Sequence, residues 1–333
     1  MSRRTCSITC RARVGVRSDP VASTMFSSDA AILTPKGLHE AILSIKLPGT
    51  KQEASMRLVT FRHGSSPAQF GIRTGDQVTP IAPAIDTAIL ADLASAAAKP
   101  TGPGLPLSEV ILLQPVLRPG KVVCIGLNYV DHAKEGGNPI PDYPAIFLRA
   151  ATSLIGPGQA ILRPPASEKL DYEAELAIII GKPALRVREA EALAHVAGYS
   201  CFNDASLRDY QRKSSQWTMG KNFDATGAFG PEIVTPDELP EGAHGLRITS
   251  RLNGRLLQDG NTSDMIFSVA RTIAIVSEVM TLEPGDVIIT GTPAGVGYPR
   301  KPPIFMRPGD TCEIEIEGVG LLSNPIADAV PAA

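Results

Sequence analysis

The 333-residue sequence predicts an α+β fold dominated by short strands, and three observations carry that reading. Proline and glycine are both abundant, at 29 and 30 residues, which breaks helices often and marks many tight turns. Cys312-Glu-Ile-Glu-Ile-Glu317 alternates acidic and apolar side chains, the period of a half-buried strand. Asn253-Gly254 separates two strand-like runs, and both residues tolerate the positive φ of a two-residue hairpin turn. Composition excludes other classes. Apolar residues at 43% and charged residues at 20% argue against global disorder. A net charge of −2 argues against nucleic acid or an anionic membrane as partner. The densest apolar run, 174–181, is strand-sized and far short of the roughly 18 residues of a membrane span.

In chain order, residues 1–55 come first, with eight basic residues against four acidic ones. Five arginines and no acid fall among the first 17. Two readings stay open: a transit-peptide-like extension, or a start codon set too early, because Met56 opens a strand-like run. Both place 1–55 outside the catalytic fold. The expected compartment is the cytoplasm, or the mitochondrion if 1–55 is a transit peptide.

Residues 56–115 read as a small N-terminal module with strands at 57–61, 69–73 and 77–81 and an alanine-rich helix near 86–98. The Pro/Gly-rich stretch that follows, from Lys99, reads as a linker. Residues 116–330 read as the catalytic domain, with strands at 121–126, 170–180, 195–202 and 287–290 and the hairpin at 246–258. Helical spacing covers 264–280, with Ser263 as the expected cap. Cys124, Cys201 and Cys312 each lie in an apolar run and no C-x-x-C pair exists, so they read as small buried hydrophobes.

The strongest chemical signal is Asp171-Tyr-Glu173-Ala-Glu175. Alternation along a strand puts Glu173 and Glu175 on one face, where two carboxylates repel unless a cation or a proton intervenes. All-oxygen ligation favours Mg²⁺, Mn²⁺ or Ca²⁺ over zinc. The plainer alternative is a solvent-facing edge strand. Asp204, at the end of a predicted strand, is either a third oxygen ligand or the cap of a polar helix at 206–213. His132 and Glu135, one helical turn apart, fit a general base with its orienting carboxylate, or a pair of surface groups. Arg208, Gln211 and Lys221 supply donors for an anion, or are ordinary surface residues. Gly291-Thr292 follows a strand without the G-K-[ST] ending of a phosphate loop, leaving the Thr292 hydroxyl as a binder for a small carboxylate.

Taken in order, Gly126-Leu-Asn-Tyr-Val-Asp-His132-Ala-Lys-Glu135, Asp171-Tyr-Glu173-Ala-Glu175-Leu, Phe202-Asn-Asp204, Gln211, Trp217-Thr-Met-Gly-Lys221 and Ile289-Thr-Gly-Thr292-Pro resemble the fumarylacetoacetate hydrolase family, its smaller acylpyruvate hydrolase-like branch. The resemblance implies a mixed β-sandwich roll. It implies metal ligation by Glu173, Glu175 and Asp204, and a water-activating dyad of His132 and Glu135. It also implies oxyanion donors at Gln211 and Lys221, with Arg208, Tyr129 and Thr292 on the substrate. An upstream metal-site Asp of the larger family members has no counterpart here.

The implied reaction is metal-dependent hydrolysis of a carbon–carbon bond in a small 2,4-dioxo acid of the acylpyruvate or fumarylpyruvate kind. The alternative is decarboxylase, lyase or hydratase/isomerase chemistry on oxaloacetate-like, ureidoglycolate-like or other 2-oxo acids, on the same platform. Mg²⁺ or Mn²⁺ is the expected cofactor, with Ca²⁺ as a third choice. The expected partners are a small oxo acid and a second copy in a homodimer, with neither nucleic acid nor membrane.

Overall fold

The computed structural model describes residues 56–82, 86–137 and 139–330. Both readings of 1–55 therefore lie outside the described residues. Within them, a twelve-stranded mixed sheet runs in the order Leu105–Pro106, Gln77–Ala82, Gln69–Thr74, Arg57–His63, Gly227–Val234, Val196–Asp204, Ala174–Ile180, Val287–Ile289, Val122–Gly126 and Ala145–Arg149. Val110–Leu113 and Leu154–Ile155 join it off this path. A five-stranded sheet follows the order Arg255–Asn261, Arg247–Leu252, Thr311–Ile316, Gly320–Asp328 and Ile161–Arg163.

The strand Ala174–Ile180 explains how the layers hold together. Every one of its residues is buried, because both faces of this central strand are covered. Leu176, Ile178 and Ile180 enter one core with Ile248, Ile314 and Leu322 of the smaller sheet and Ile273 of the helix Val269–Val279. Ala177 and Ile179 enter a second core on the opposite face, with Phe202, Phe229 and Leu58. Glu175 belongs to this second face, at the start of the strand.

The segment 56–115 shares the large sheet. Arg57 and Leu58 pair antiparallel with Val234 and Ile233. Glu232, almost wholly buried, receives Arg57 at 2.8 Å and Arg73 at 2.5 Å, so two arginines of that segment offset one buried carboxylate.

The hairpin forms as expected, Asn253 and Gly254 both taking positive φ, at 52° and 76°. The strand expected at 170–180 breaks at Tyr172 and Glu173 into Leu170–Asp171, which pairs with Ser206–Leu207, and Ala174–Ile180. Three further elements differ from expectation. The alanine-rich stretch is two short pieces, Thr87–Ala91 and Leu93–Ala97, the first capped by Asp86. The helix expected at 206–213 is one turn, Arg208–Gln211. The helix expected from 264 begins at Val269, capped by Ser268 rather than Ser263. Asn128 is the reason: its backbone carbonyl accepts from Ile266, and its side chain pairs with both the N–H and the C=O of Phe267. That grip holds the segment extended. Among the described residues, no helix is long and apolar enough to cross a membrane.

Candidate active site

Strand direction gathers the polar residues at one end of the large sheet. The start of Ala174–Ile180 lies beside the end of Val196–Asp204, because the two run antiparallel with Ala174 opposite Asn203. The ends of Val287–Ile289 and Val122–Gly126 arrive at the same edge. There a cleft of about 370 Å³ opens, lined by Glu173, Glu175, Asp204, His132, Glu135 and Lys221. Arg208, Gln211 and Thr292 also reach it. Tyr129 does not line it. Its ring is buried, and its hydroxyl finds no hydrogen-bond partner.

Glu173, Glu175 and Asp204 are buried and present oxygens that all lie within 4.8 Å of one another. The edge-strand and helix-cap alternatives do not describe them. Lys221 Nζ sits between two of the three, 2.5 Å from Glu173 Oε2 and 2.5 Å from Asp204 Oδ2. Arg208 holds the other Glu173 oxygen at 2.7 Å and Asp171 Oδ2 at 2.7 Å. Arg149 donates to Asp204.

Burial alone would raise the pKa of Glu173, but the charges of Arg208 and Lys221 overcome it and hold the carboxyl at about 2. Burial would lower the Lys221 ammonium, yet Asp204, Glu173 and Glu175 raise it, so it stays charged. Glu175 differs. It accepts from Gly291 N–H at 2.6 Å and has no ion-pair partner among the described residues. Burial, then repulsion from Asp204 and Glu173, push its carboxyl well above the usual range. A buried carboxylate lacking its own cation, in an all-oxygen set close enough for one ion with ligand distances of about 2.0–2.6 Å, fits a hard divalent metal.

His132 lies on the helix Val130–Glu135, its Nδ1 3.5 Å from Glu135 Oε2, longer than a good hydrogen bond. Glu135 is anchored from the other side by Gly295 N–H at 3.0 Å. Burial opposes ionisation of Glu135, but His132 and that N–H outweigh it and keep the carboxyl below its ordinary range. Gln211 accepts from Arg208 at 3.0 Å. The Thr292 hydroxyl donates to Ala174 O at 2.9 Å and accepts from Gln258, so its proton is already committed.

Sequence reasoning gave no role to several residues that hold this arrangement, although Asp171 and Trp217 stand in its motifs. Asp171 clamps Arg208 and the N–H groups of Gly297 and Tyr298. Arg149 ends a strand, Ala145–Arg149, that carries no alternating signal. Trp217 lines the cleft, its ring edge-on to Phe147 at 5.6 Å. It reaches that position because residue 126 is glycine: a Cβ there would stand 2.1 Å from the indole.

Two facing β-layers with a buried carboxylate triad at one sheet end define a metal-binding enzyme of mixed β architecture. Comparison with known proteins narrows the class. The description "Fumarylacetoacetate (FAA) hydrolase C-terminal" matches residues 121–327, and "Rv2993c-like, N-terminal" matches residues 56–115. The chain belongs to the fumarylacetoacetate hydrolase family, as its motifs implied, with the β-rich fold and small N-terminal module expected of it.

Among its relatives is the mitochondrial oxaloacetate tautomerase FAHD2A of Homo sapiens, 47% identical over 226 residues that span 67% of this chain and 72% of the relative. Similar solved structures include a 5-carboxymethyl-2-hydroxymuconate delta-isomerase from Mycobacterium smegmatis, with 36% identity and TM-score 0.69 over 83% of this chain and 100% of that one. A fumarylacetoacetate hydrolase from Exiguobacterium antarcticum aligns with 36% identity and TM-score 0.70 over the same shares.

Proposed function

We propose that this chain interconverts the keto and enol forms of an oxaloacetate-like 2-oxo acid bound to Mg²⁺ or Mn²⁺. The observation that carries the reading is the make-up of the cleft. The carboxylate triad and the His132–Glu135 pair share it, no Ser or Cys is among its described lining residues, and the Thr292 hydroxyl is engaged elsewhere. Covalent catalysis by Ser, Cys or Thr therefore lacks a nucleophile, whereas proton transfer next to a carbonyl needs only a cation and a base. The tautomerase and isomerase names of the relatives above support proton transfer over the expected carbon–carbon hydrolysis. The mitochondrial name of the human relative supports the transit-peptide reading of 1–55.

Glu173, Glu175 and Asp204 would hold the cation, which when bound draws electron density from the 2-oxo group and makes the neighbouring C–H acidic. His132 takes that proton on Nε2, the ring nitrogen turned away from Glu135, and returns it to the 2-oxo oxygen. One C–H bond breaks, one O–H bond forms, and no water is consumed. Glu135 offsets the imidazolium charge while the proton is held. Gln211, its amide oxygen fixed by Arg208, directs its N–H groups to the oxygen that gains charge.

The test starts from oxaloacetate supplied as the enol, with Mg²⁺ present, and follows the ultraviolet absorbance of the enol alongside pyruvate release. The enol band is expected to decay faster than the buffer control while total oxaloacetate stays constant. Pyruvate appearing at the rate of enol loss would make the enzyme a decarboxylase. Faster cleavage of an acylpyruvate would restore the hydrolase.

A further inference from the structure

We propose that Arg212, braced by Tyr298, selects dicarboxylic substrates by pairing with the carboxylate at the far end of the 2-oxo acid. This rests on the oxo-acid reading above and adds the residue that would recognise the second carboxylate. Three cationic side chains line the cleft: Arg208, Arg212 and Lys221. Arg208 is engaged by Asp171 and Glu173, and Lys221 by Glu173 and Asp204. Arg212 alone of the three pairs with no carboxylate among the described residues.

The Arg212 guanidinium lies over the Tyr298 ring, 4.1 Å from its centroid, and donates through one Nη1 to the phenol oxygen at 2.7 Å. Tyr298 is in turn tied down by its own N–H, which donates to Asp171 at 2.9 Å. Stacking of this kind holds an otherwise flexible arginine in place, and most of its five N–H donors stay available for an anion. A planar fork of that sort matches a carboxylate in bidentate geometry. Arg212 is solvent-exposed where the triad is buried, so the cleft offers a cation site at depth and a free positive charge at the rim. A cleft of about 370 Å³ suits a short diacid spanning the two.

The experiment is calorimetric titration of the full chain in Mg²⁺ with malate and, separately, 2-hydroxybutyrate. Both present the same chelating 2-hydroxy carboxylate, and they differ in a distal carboxylate against a methyl group. Malate is expected to bind tighter by about 10- to 100-fold, the worth of a hydrogen-bonded charge pair. Arg212→Gln is expected to bring malate down to the affinity of 2-hydroxybutyrate while leaving the latter unchanged, which also certifies the variant as folded. Arg212→Lys should recover part of the preference, since it restores charge without the fork.

Equal binding of the two acids by the wild type, or a malate preference that survives Arg212→Gln, would overturn the assignment. Neither acid turns over. Discrimination that persists in a chain inactive on enol oxaloacetate would thus sustain Arg212 and remove the tautomerase reading alone. Absence of binding by both acids would remove the assignment together with the oxo-acid reading.

Discussion

Glu175→Gln is expected to abolish tight Mg²⁺ binding and to cut turnover by about a thousandfold or more, since the bound cation supplies several kcal/mol of charge stabilisation. The substitution keeps shape and keeps an oxygen for Gly291 N–H to reach. What it removes is one negative charge from a set of three. The same change should leave the metal-free fold at least as stable as the wild type, because Glu175 is buried against Asp204 and Glu173 without a cation of its own. Calorimetric Mg²⁺ titration and thermal melting of the metal-free protein check both halves. A variant that melts much earlier has lost its fold, and one that keeps full activity at limiting metal shows that the ion sits elsewhere.

His132→Ala is the second large effect, an expected loss of about 10²- to 10⁴-fold in turnover, the usual contribution of a positioned base. Here the cation site should survive, since the imidazole faces Glu135 and stands outside the triad. Exchange of the substrate C3 hydrogen with deuterated solvent, followed by NMR, isolates the step: it should fall with turnover while Mg²⁺ affinity holds. Weakened Mg²⁺ binding would instead make His132 a ligand.

Much of the site was legible because its residues are close in sequence or sit on patterned elements. Glu173 and Glu175 announce themselves by spacing, and His132 and Glu135 by one helical turn. The Asn253-Gly254 turn was legible for a local reason too, since both residues accept positive φ. What stayed hidden depends on distant partners. Gly227–Val234, which contains Gly230 and Pro231, is absent from the expected strands, yet strands on both sides pair with it and make it a strand. Ser263 has the chemistry of a helix cap, and nothing near it reveals that Asn128, far earlier in the chain, holds residues 266 and 267 extended. Arg149 and Asp171 look like any charged residues until folding buries them beside Asp204 and Arg208. Tyr129, expected on the cleft wall, turns inward, and Tyr298 and Arg212 stand at the rim instead.

The charges around the triad also set an order of events. Four buried carboxylates, Asp171, Glu173, Glu175 and Asp204, face three buried cations, Arg149, Arg208 and Lys221, which leaves one net negative charge when all are ionised. With the proton retained on Glu175, as burial and its acidic neighbours favour, the metal-free cluster is neutral and offers an approaching acid no net attraction. A divalent ion that displaced that proton would leave the cluster with one net positive charge, and the same cleft would then attract the acid. Loading is therefore expected to be sequential, metal first and acid second. Malate titrated into metal-free protein should give no binding heat, and strong heat at this step would mean that the two ligands enter in either order.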